Sequence, residues 1–365
     1  MRQDGLTYGQ ETWRKLRRNK PAMASLCVIL LSVITAIFAY VLAPDNSPYA
    51  NWQTVEIQSK KPGFSQQFLR LPSDDQQEPG TWASFLSGRP LRARYIPICD
   101  IERKGDSVIY QRWIDEDTCV REAISISILS KHSLPDQYLV TKKYYLGTDI
   151  FGRDILSRLI IGTRVSLSVG LVAVLISLFL GIVLGLPAGY FRGKTDAAIM
   201  WLINVTWSIP TLLLVFAITL ALGKGYWQVF VAVGLTMWVN VARMVRGQVL
   251  AMRELEFVQA ARVLGYTHTR IMFRHILPNI SGPLLVLAAG NFATAIMVEA
   301  GLSFLGVGVQ PPQPSWGSMI RENYHFIMTD HALLAIIPGL AIMLMVLSFN
   351  ILGNGLRDAA DVRLD

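Results

Sequence analysis

The segment from Glu254 to Pro278 has residue types and a spacing that suit the docking of another protein. At helical spacing its apolar residues fall on one stripe, which consists of Phe257, Ala260, Ala261 and Leu264. The two alanines in this stripe would let a second backbone approach closely. Gly265 suits a left-handed helix cap, Thr267 is placed to start a second helix, and Pro278 would stop that helix. The pattern predicts a docking hairpin; the alternative is an ordinary amphipathic surface helix.

The sequence contains no residue pattern that indicates catalysis. The run from Gly189 to Thr195 approaches a phosphate-binding loop but has one residue too few between its glycines, and it joins two apolar stretches. The five histidines have no metal-ligand spacing. We therefore expect no catalytic residue, no metal site and no cofactor bound by this chain. If energy comes from ATP, a partner ATPase must bind the ATP and Mg²⁺.

Six apolar stretches are long enough to span the roughly 30 Å apolar core of a bilayer. They are predicted at residues 21–43, 165–187, 197–222, 226–242, 283–307 and 333–355. Since 52% of the 365 residues are hydrophobic, the chain is too apolar for a soluble protein of this length. The sequence predicts an all-α polytopic membrane protein. Its predicted parts are terminal tails at 1–20 and 356–365 and a five-helix core at 165–355 that includes a loop at 243–282.

Lysine and arginine are distributed unequally among the short segments that flank these spans. Most of them lie in the N-terminal tail, the loop after the second span, the loop 243–282 and the C-terminal tail. The positive-inside rule places these segments, and so both termini, in the cytoplasm, with the spans in the inner membrane. The same asymmetry accounts for the net charge of +8, and a nucleic-acid partner is not needed.

Polar side chains inside the spans are further candidates for a functional role. Asn204, Trp207 and Ser208 lie in the third span just before a proline, which predicts a bend near mid-membrane. Asn291 and Glu299 lie in the fifth span, and Glu299 is the only acidic residue within any span. An intramembrane carboxylate is a functional hypothesis by default. A structural pairing with a helix end or a neighbouring arginine is equally open.

Residues 44–164 form the one long polar region and are predicted to be an extracytoplasmic insertion that ends in an interfacial helix. Residues 44–80 are rich in Pro, Gln and Ser and predict no regular structure, whereas residues 107–114 have the pattern of a strand. Cys99 and Cys119 are the only cysteines on this side. In an oxidising compartment we expect a disulfide worth about 3 kcal/mol; two buried free thiols are the alternative.

The docking segment resembles the EAA motif of ABC importer permeases, a cytoplasmic loop that contacts the ATPase. Gln259 stands at the glutamate of that motif and His275 at its usual isoleucine, while the spacing of the motif is intact. The resemblance implies an ATPase-coupling surface that comprises Glu256, Phe257, Gln259, Ala260, Ala261, Leu264, Gly265, Leu277 and Pro278.

Two further segments resemble signatures of peptide-type permeases. Residues 146–154 match the Leu-Gly-Thr-Asp-x-x-Gly-Arg-Asp string that precedes the second span, and residues 315–319 contain the Ser-Trp-Gly and Met of the same family. The spacing predicts ion pairs Asp149–Arg153 and Asp154–Arg158 along a short helix. The resemblance implies that Asp149 and Arg153 position an outer gate. The polar span residues are expected to face inward and to line the path or the gate. Simple capping and surface pairing are the alternative.

The resemblance covers about residues 1–45 and 146–365. It implies a type I ABC importer permease (MetI-like) fold with six transmembrane helices and a function as a transmembrane subunit of an ATP-driven importer for peptides. Such permeases work in pairs, usually with a homologous second permease, together with two ATPase subunits and an extracytoplasmic substrate-binding protein. The alternatives are an ion-coupled secondary transporter and a membrane-anchored sensor or assembly factor built on the insertion.

Overall fold

A computed structural model describes residues 8–72, 80–91, 93–104, 107–115, 117–125, 138–223 and 225–360. The helices are α1 (Tyr8–Arg18), α2 (Lys20–Ile37), α3 (Ala39–Leu42), α4 (Thr81–Ser87), α5 (Ile155–Phe191), α6 (Gly193–Trp207), α7 (Thr211–Leu222), α8 (Tyr226–Met252), α9 (Glu256–Val263), α10 (His268–Arg270), α11 (Ser281–Phe304), α12 (Trp316–Asn323) and α13 (Leu333–Ala360). The strands are β1 (Phe64–Pro72), β2 (Ala93–Lys104), β3 (Ser107–Trp113), β4 (Cys119–Ser125) and β5 (Leu139–Tyr144). The outer parts of the predicted tails, 1–7 and 361–365, lie outside the described residues.

The chain divides into two compact units. The helical unit comprises Met1–Ile34, Ser166–Gln310 and Gly339–Asp365, and the insertion unit comprises Thr35–Val165 and Pro311–Pro338. The insertion unit is therefore larger than the predicted insertion at 44–164, because it also includes the segment with α12.

Five described helices are long and apolar enough to cross a membrane, and a sixth crossing results if α6 and α7 form one bent span. The predicted third span, 197–222, is thus two helices that meet at 90°. Pro210 lies at the break, where its ring disfavours helical geometry in the residue before it. With 15 and 12 residues, the two helices rise only about 22 and 18 Å, so neither alone spans the apolar core of roughly 30 Å.

A stripe of glycines packs α5 closely against α8 within the helical unit. A Cβ atom added at Gly185 would lie 2.7 Å from the carbonyl oxygen of Ala242, and one at Gly189 would lie 2.7 Å from the carbonyl oxygen of Arg246. Real Cβ atoms do not approach backbone oxygens this closely. The four-residue repeat of glycine in α5 therefore sets the distance between the two helices, as small-residue motifs do in membrane proteins.

The insertion unit contains a five-stranded antiparallel sheet in the order β4-β3-β2-β1-β5. Successive residues of a strand point to opposite faces. Phe68 and Leu69, both fully buried, accordingly belong to two separate apolar clusters, one with Trp52 and one with Ile98. The sheet is thus covered on both faces at β1.

Two expectations for the insertion are wrong. Residues 44–80 are not without regular structure, because β1 lies within them and pairs with both β2 and β5. The segment at 149–154 is not helical, because the helix begins only at Ile155. Instead, Gly152 has φ +70° and turns the chain against the carbonyl oxygen of Thr54. The predicted strand at 107–114 is present as β3.

Candidate functional site

The hairpin at residues 254–278, called the motif hairpin below, is built from α9, α10 and a π-helical turn, Ile271–Ile276. Gly265 ends α9 with φ +74°. The Gly265 N–H donates to the carbonyl of Arg262, and the Tyr266 N–H donates to the carbonyl of Ala261. These two bonds form a Schellman cap, which explains why glycine is needed at this position. The hydroxyl of Thr267 then accepts from the Arg270 N–H at 3.4 Å and starts the second arm, as predicted.

One face of α9 belongs to the interior of the helical unit. Val258 and Ala261 are buried there, at 0% and 3% exposure, in an apolar cluster with residues of α5, α8 and the second arm. Leu277 packs against the same cluster. The predicted docking stripe is therefore wrong at Ala261, which is a core residue of this chain.

The exposed side of α9 has four apolar residues, with Glu256 and Gln259 among them. Phe257, Ala260 and Leu264 lie on it as predicted, with 41% of Phe257 and 69% of Leu264 exposed. Val263, which the sequence reasoning did not single out, is 88% exposed. Val263 could have been identified from the sequence, because it lies three residues after Ala260 and therefore next to it on the helix surface. These four residues, Phe257, Ala260, Val263 and Leu264, are called the outward face below.

Tyr190, at the end of α5, connects the hairpin to the helical unit by polar contacts. Its hydroxyl lies 3.0 Å from Nδ1 of His268, and its carbonyl accepts a hydrogen bond from Arg253 at 2.6 Å. The Arg262 guanidinium lies over the Tyr190 ring, 5.0 Å from its centroid. Tyr190 therefore contacts both arms of the hairpin, although the sequence did not mark it as a candidate functional residue.

The remaining predicted coupling residues lie at the ends of the hairpin. Glu256 and Gln259 are exposed, and the Gln259 amide donates to the carbonyl of Glu254 at 3.0 Å. Glu254 in turn pairs with Arg192 at 2.9 Å. Pro278 is exposed at the start of a 3₁₀ turn, Leu277–Ile280. The glutamine at the motif's glutamate position thus bonds within the hairpin.

Four charged side chains form the second candidate site, within the insertion unit, and are called the ion cluster below: the buried Asp149, Arg153 and Arg158, and the partly exposed Glu322. Arg153 pairs with Asp149 at 2.6 Å and with Glu322 at 2.5 Å, and Arg158 reaches Glu322 at 3.1 Å. The predicted pair Asp149–Arg153 is therefore present, in a turn rather than a helix. The predicted pair Asp154–Arg158 is replaced, because Asp154 instead accepts hydrogen bonds from Ser157 at the start of α5.

The ion cluster joins the two family signatures. Glu322 lies in α12, which begins at the Ser-Trp-Gly segment, and the indole N–H of Trp316 donates to the carbonyl of Leu159 at 3.1 Å. A Cβ at Gly162 would lie 3.1 Å from the Trp316 ring, so the ring packs directly on the backbone of α5. Sequence reasoning missed Glu322 because nothing local links it to residues 149–158.

The polar residues predicted for the translocation path have different environments. Glu299 is fully buried and accepts a hydrogen bond from the Ser303 hydroxyl at 2.7 Å; that hydroxyl also accepts from the Val309 N–H. Asn291 is buried, at 5% exposure. Asn204, Trp207 and Ser208 are exposed at the break between α6 and α7. Glu299 thus bonds to a residue of its own helix, and its role in the path stays a prediction.

Cys99 and Cys119 are joined by a disulfide, with 6.6 Å between their Cα atoms. Cys99 lies at the bulge where the β2–β3 register shifts, and Cys119 opens β4. Within the described residues, no group of three or more His, Cys, Asp or Glu side chains could hold a metal ion.

Comparisons with known proteins agree with this architecture. A family model described as "Binding-protein-dependent transport system inner membrane component" matches residues 181–365, and one described as "N-terminal TM domain of oligopeptide transport permease C" matches residues 7–62. The chain is 42% identical over 222 residues to the glutathione transport system permease protein GsiD of Pectobacterium atrosepticum, covering 60% of this chain and 73% of the relative.

Two further proteins are similar to this chain over different parts of its length. The dipeptide transport system permease protein DppC of Lactococcus lactis is 30% identical over 359 residues, 98% of this chain and 91% of the relative. The likeness therefore extends through the insertion, contrary to the expectation that it stops at residue 45 and resumes at 146. A solved structure of the MetNI methionine ABC transporter covers 56% of this chain and 97% of its own, with 18% identity and a TM-score of 0.47.

The family models and the two relatives leave the ion-coupled transporter and the sensor without support and confirm the predicted class of permease. Its ATPase and substrate-binding partners follow from that class, as does its place in the inner membrane. The chain belongs to the family of binding-protein-dependent transport system inner-membrane components.

Proposed function

We propose that this chain forms half of the translocation pathway of an ABC importer for short peptides and pairs with a homologous second permease above two ATPase subunits. The names of its relatives support peptides as cargo, since they include permeases of glutathione, dipeptide and oligopeptide transport systems. The chain itself would carry out no chemistry, and ATP and Mg²⁺ would be bound by the ATPase subunits. An extracytoplasmic binding protein would deliver the peptide.

The observation that carries the coupling proposal is the division of α9 into two apolar faces. The inward face packs Val258 and Ala261 into the helical unit, while the outward face leaves Val263 and Leu264 in contact with solvent. An exposed apolar surface on a polar connecting segment is typical of a protein interface. Since the inward face is fixed in the core, movement of a docked ATPase would be transmitted to α5 and α8.

Stiffness is required by the energetics of this mechanism. Shifting a two-state equilibrium from 1:99 to 99:1 takes about 5.5 kcal/mol of differential binding. The Tyr190 contacts and the Schellman cap at Gly265 support a hairpin that moves as a unit with the helices. The positive-inside rule supports placing the hairpin and both termini in the cytoplasm.

Site-directed crosslinking tests the coupling role. With Cys27 replaced by serine, cysteines introduced at Val263 and Leu264 should crosslink to a co-purified ATPase. A cysteine at Trp227, which is 64% exposed at the start of α8, is the matched control and should not. Equal crosslinking of all three positions to the ATPase, or a purified complex with no ATPase, would contradict the proposal. Uptake of labelled dipeptide by cells that lack other peptide transporters tests the cargo separately.

A further inference from the structure

A cavity of about 320 Å³ in the insertion unit has a chemistry that neither the motif hairpin nor the ion cluster uses. Asp45, Trp52, Lys142, Tyr144 and Asp154 are among its lining residues. The volume lies at the lower end of the range for small-molecule sites, roughly 300–1,000 Å³. The cavity is lined by two acidic residues, by two lysines (Lys142 and Lys143) and by aromatic side chains.

The acidic groups are buried, and one of them has an unused oxygen. Asp45 and Asp154 are each 5% exposed. Asp45 accepts hydrogen bonds from the N–H groups of Ser47 and Trp52 at 3.0 and 3.3 Å, and Oδ2 of Asp154 accepts from Ser157. Oδ1 of Asp154 has no hydrogen-bond partner among the described residues. Burial raises the pKa of the Asp154 carboxyl, and a cation beside it would lower that pKa again.

The Lys142 ammonium lies on an aromatic ring and not on a carboxylate. The Lys142 ammonium is 3.2 Å from the centroid of the Trp52 ring and 5.4 Å from that of Tyr95. No ion pair within 4.0 Å joins it to Asp45 or Asp154 in the described structure. Burial lowers the pKa of Lys142 to about 8. Its N–H groups therefore remain available to an anionic group that enters the cavity.

We propose that this cavity binds a small zwitterion, such as a free amino acid or a dipeptide. The ligand's ammonium group would bind the carboxylates of Asp154 and Asp45, and its carboxylate would bind the Lys142 ammonium. A simple cation would satisfy Asp154 but meet the charge of Lys142, and a simple anion would meet two carboxylates. Only a ligand with both charges complements both sides of the cavity. This site goes beyond the proposed function, because binding here requires neither an ATPase nor transport.

Binding of dialanine to the purified full-length chain in lipid nanodiscs, without the binding protein, tests the proposal by isothermal titration calorimetry. N-acetyl-dialanine lacks the ammonium, and dialanine amide lacks the carboxylate. Each should bind at least about tenfold more weakly than dialanine, which corresponds to about 1.4 kcal/mol. Asp154→Asn keeps a side-chain oxygen for Ser157 and should abolish the penalty for acetylation. Lys142→Met keeps the aliphatic stem on Trp52 and should abolish the penalty for amidation.

Lys61→Met removes an exposed charge elsewhere in the insertion and should leave both penalties unchanged. Thermal unfolding and intact-mass analysis would establish that each variant is folded and keeps its disulfide; Asp45→Asn replaces Asp154→Asn if the latter fails this check. The proposal is overturned if dialanine shows no saturable binding, or if the penalties are the same in the variants as in the wild type. Peptide uptake can succeed while this test fails, so the two proposals are separable.

Discussion

Glutamate substitutions at the adjacent residues Ala260 and Ala261 should separate docking from folding. Ala261 is 3% exposed within the apolar cluster that includes Val258 and Ile271. Burying a carboxylate in such surroundings costs several kcal/mol of folding free energy, even after the structure relaxes and water enters. Since domains are stable by only about 5–15 kcal/mol, Ala261→Glu should lower the unfolding temperature strongly and reduce the amount of protein in the membrane. Ala260 is exposed, and Ala260→Glu should change stability by no more than about 0.5 kcal/mol.

The effect on ATPase binding should be the reverse. A glutamate on the outward face would lose its hydration when an ATPase docks, and a well-buried interface position is worth about 2 kcal/mol or more, close to thirtyfold in affinity. Ala260→Glu should therefore abolish peptide uptake and ATPase retention in an affinity pull-down, while the permease itself unfolds at the wild-type temperature. Ala260→Ser and Ala261→Ser preserve size and neutrality and are the matched controls.

Two results would refute this reasoning. If Ala261→Glu reaches the membrane at wild-type level and unfolds at the wild-type temperature, Ala261 is not part of the interior. If Ala260→Glu retains the ATPase and transports normally, the outward face is not where the ATPase binds. Either result can be obtained without the other, so the fold and the coupling role are tested independently.

Four further outcomes are expected. Glu322→Gln leaves two buried arginines with Asp149 as their one carboxylate partner among the described residues, and it should destabilise the insertion by about 3–5 kcal/mol in thermal unfolding. Gly185→Ala should lower the free energy of unfolding by about 1–3 kcal/mol, because the added methyl group overpacks the contact between α5 and α8. Gly247→Ala is the control and should cause no measurable loss of stability, because no atom lies within 4 Å of the added Cβ. Burial lowers the pKa of Lys142 from 10.5 to about 8 in the folded chain, so between pH 8 and 10.5 the unfolded chain binds more protons than the folded one. The free energy of unfolding should therefore rise with pH in this range, and Lys142→Met should remove that pH dependence. Non-reducing mass mapping should find Cys99 linked to Cys119, and Cys99→Ser should lower the unfolding temperature.

Features that depend on local spacing could be predicted from the sequence. The four-residue repeat of glycine in α5 indicates close helix packing, and Gly265 and Thr267 indicate where the first arm of the hairpin ends and where the second begins. The alternation at 107–114 predicted β3. In each case the residues that make the structure lie within one helical turn or one strand of each other, so their periodicity carries the information.

Features that depend on distant partners could not be predicted. Glu322 lies more than 160 residues from the arginines it pairs with. The sequence of α9 is apolar on both sides, with Val258 and Ala261 on one and Ala260 and Val263 on the other, so its spacing alone could not decide which side the core would take. Strand β1 escaped notice because its stability comes from two neighbours that pair with it and not from its composition.

The division of α9 into two faces has a consequence for the engineering of transporters of this kind. The side chains that would contact the ATPase are separate from those that pack the helix against its own protein. Under the proposed coupling role, exchanging Phe257, Ala260, Val263 and Leu264 for the corresponding residues of another permease should redirect this chain to a foreign ATPase. The cargo would stay the same, because no residue deeper in the bundle changes.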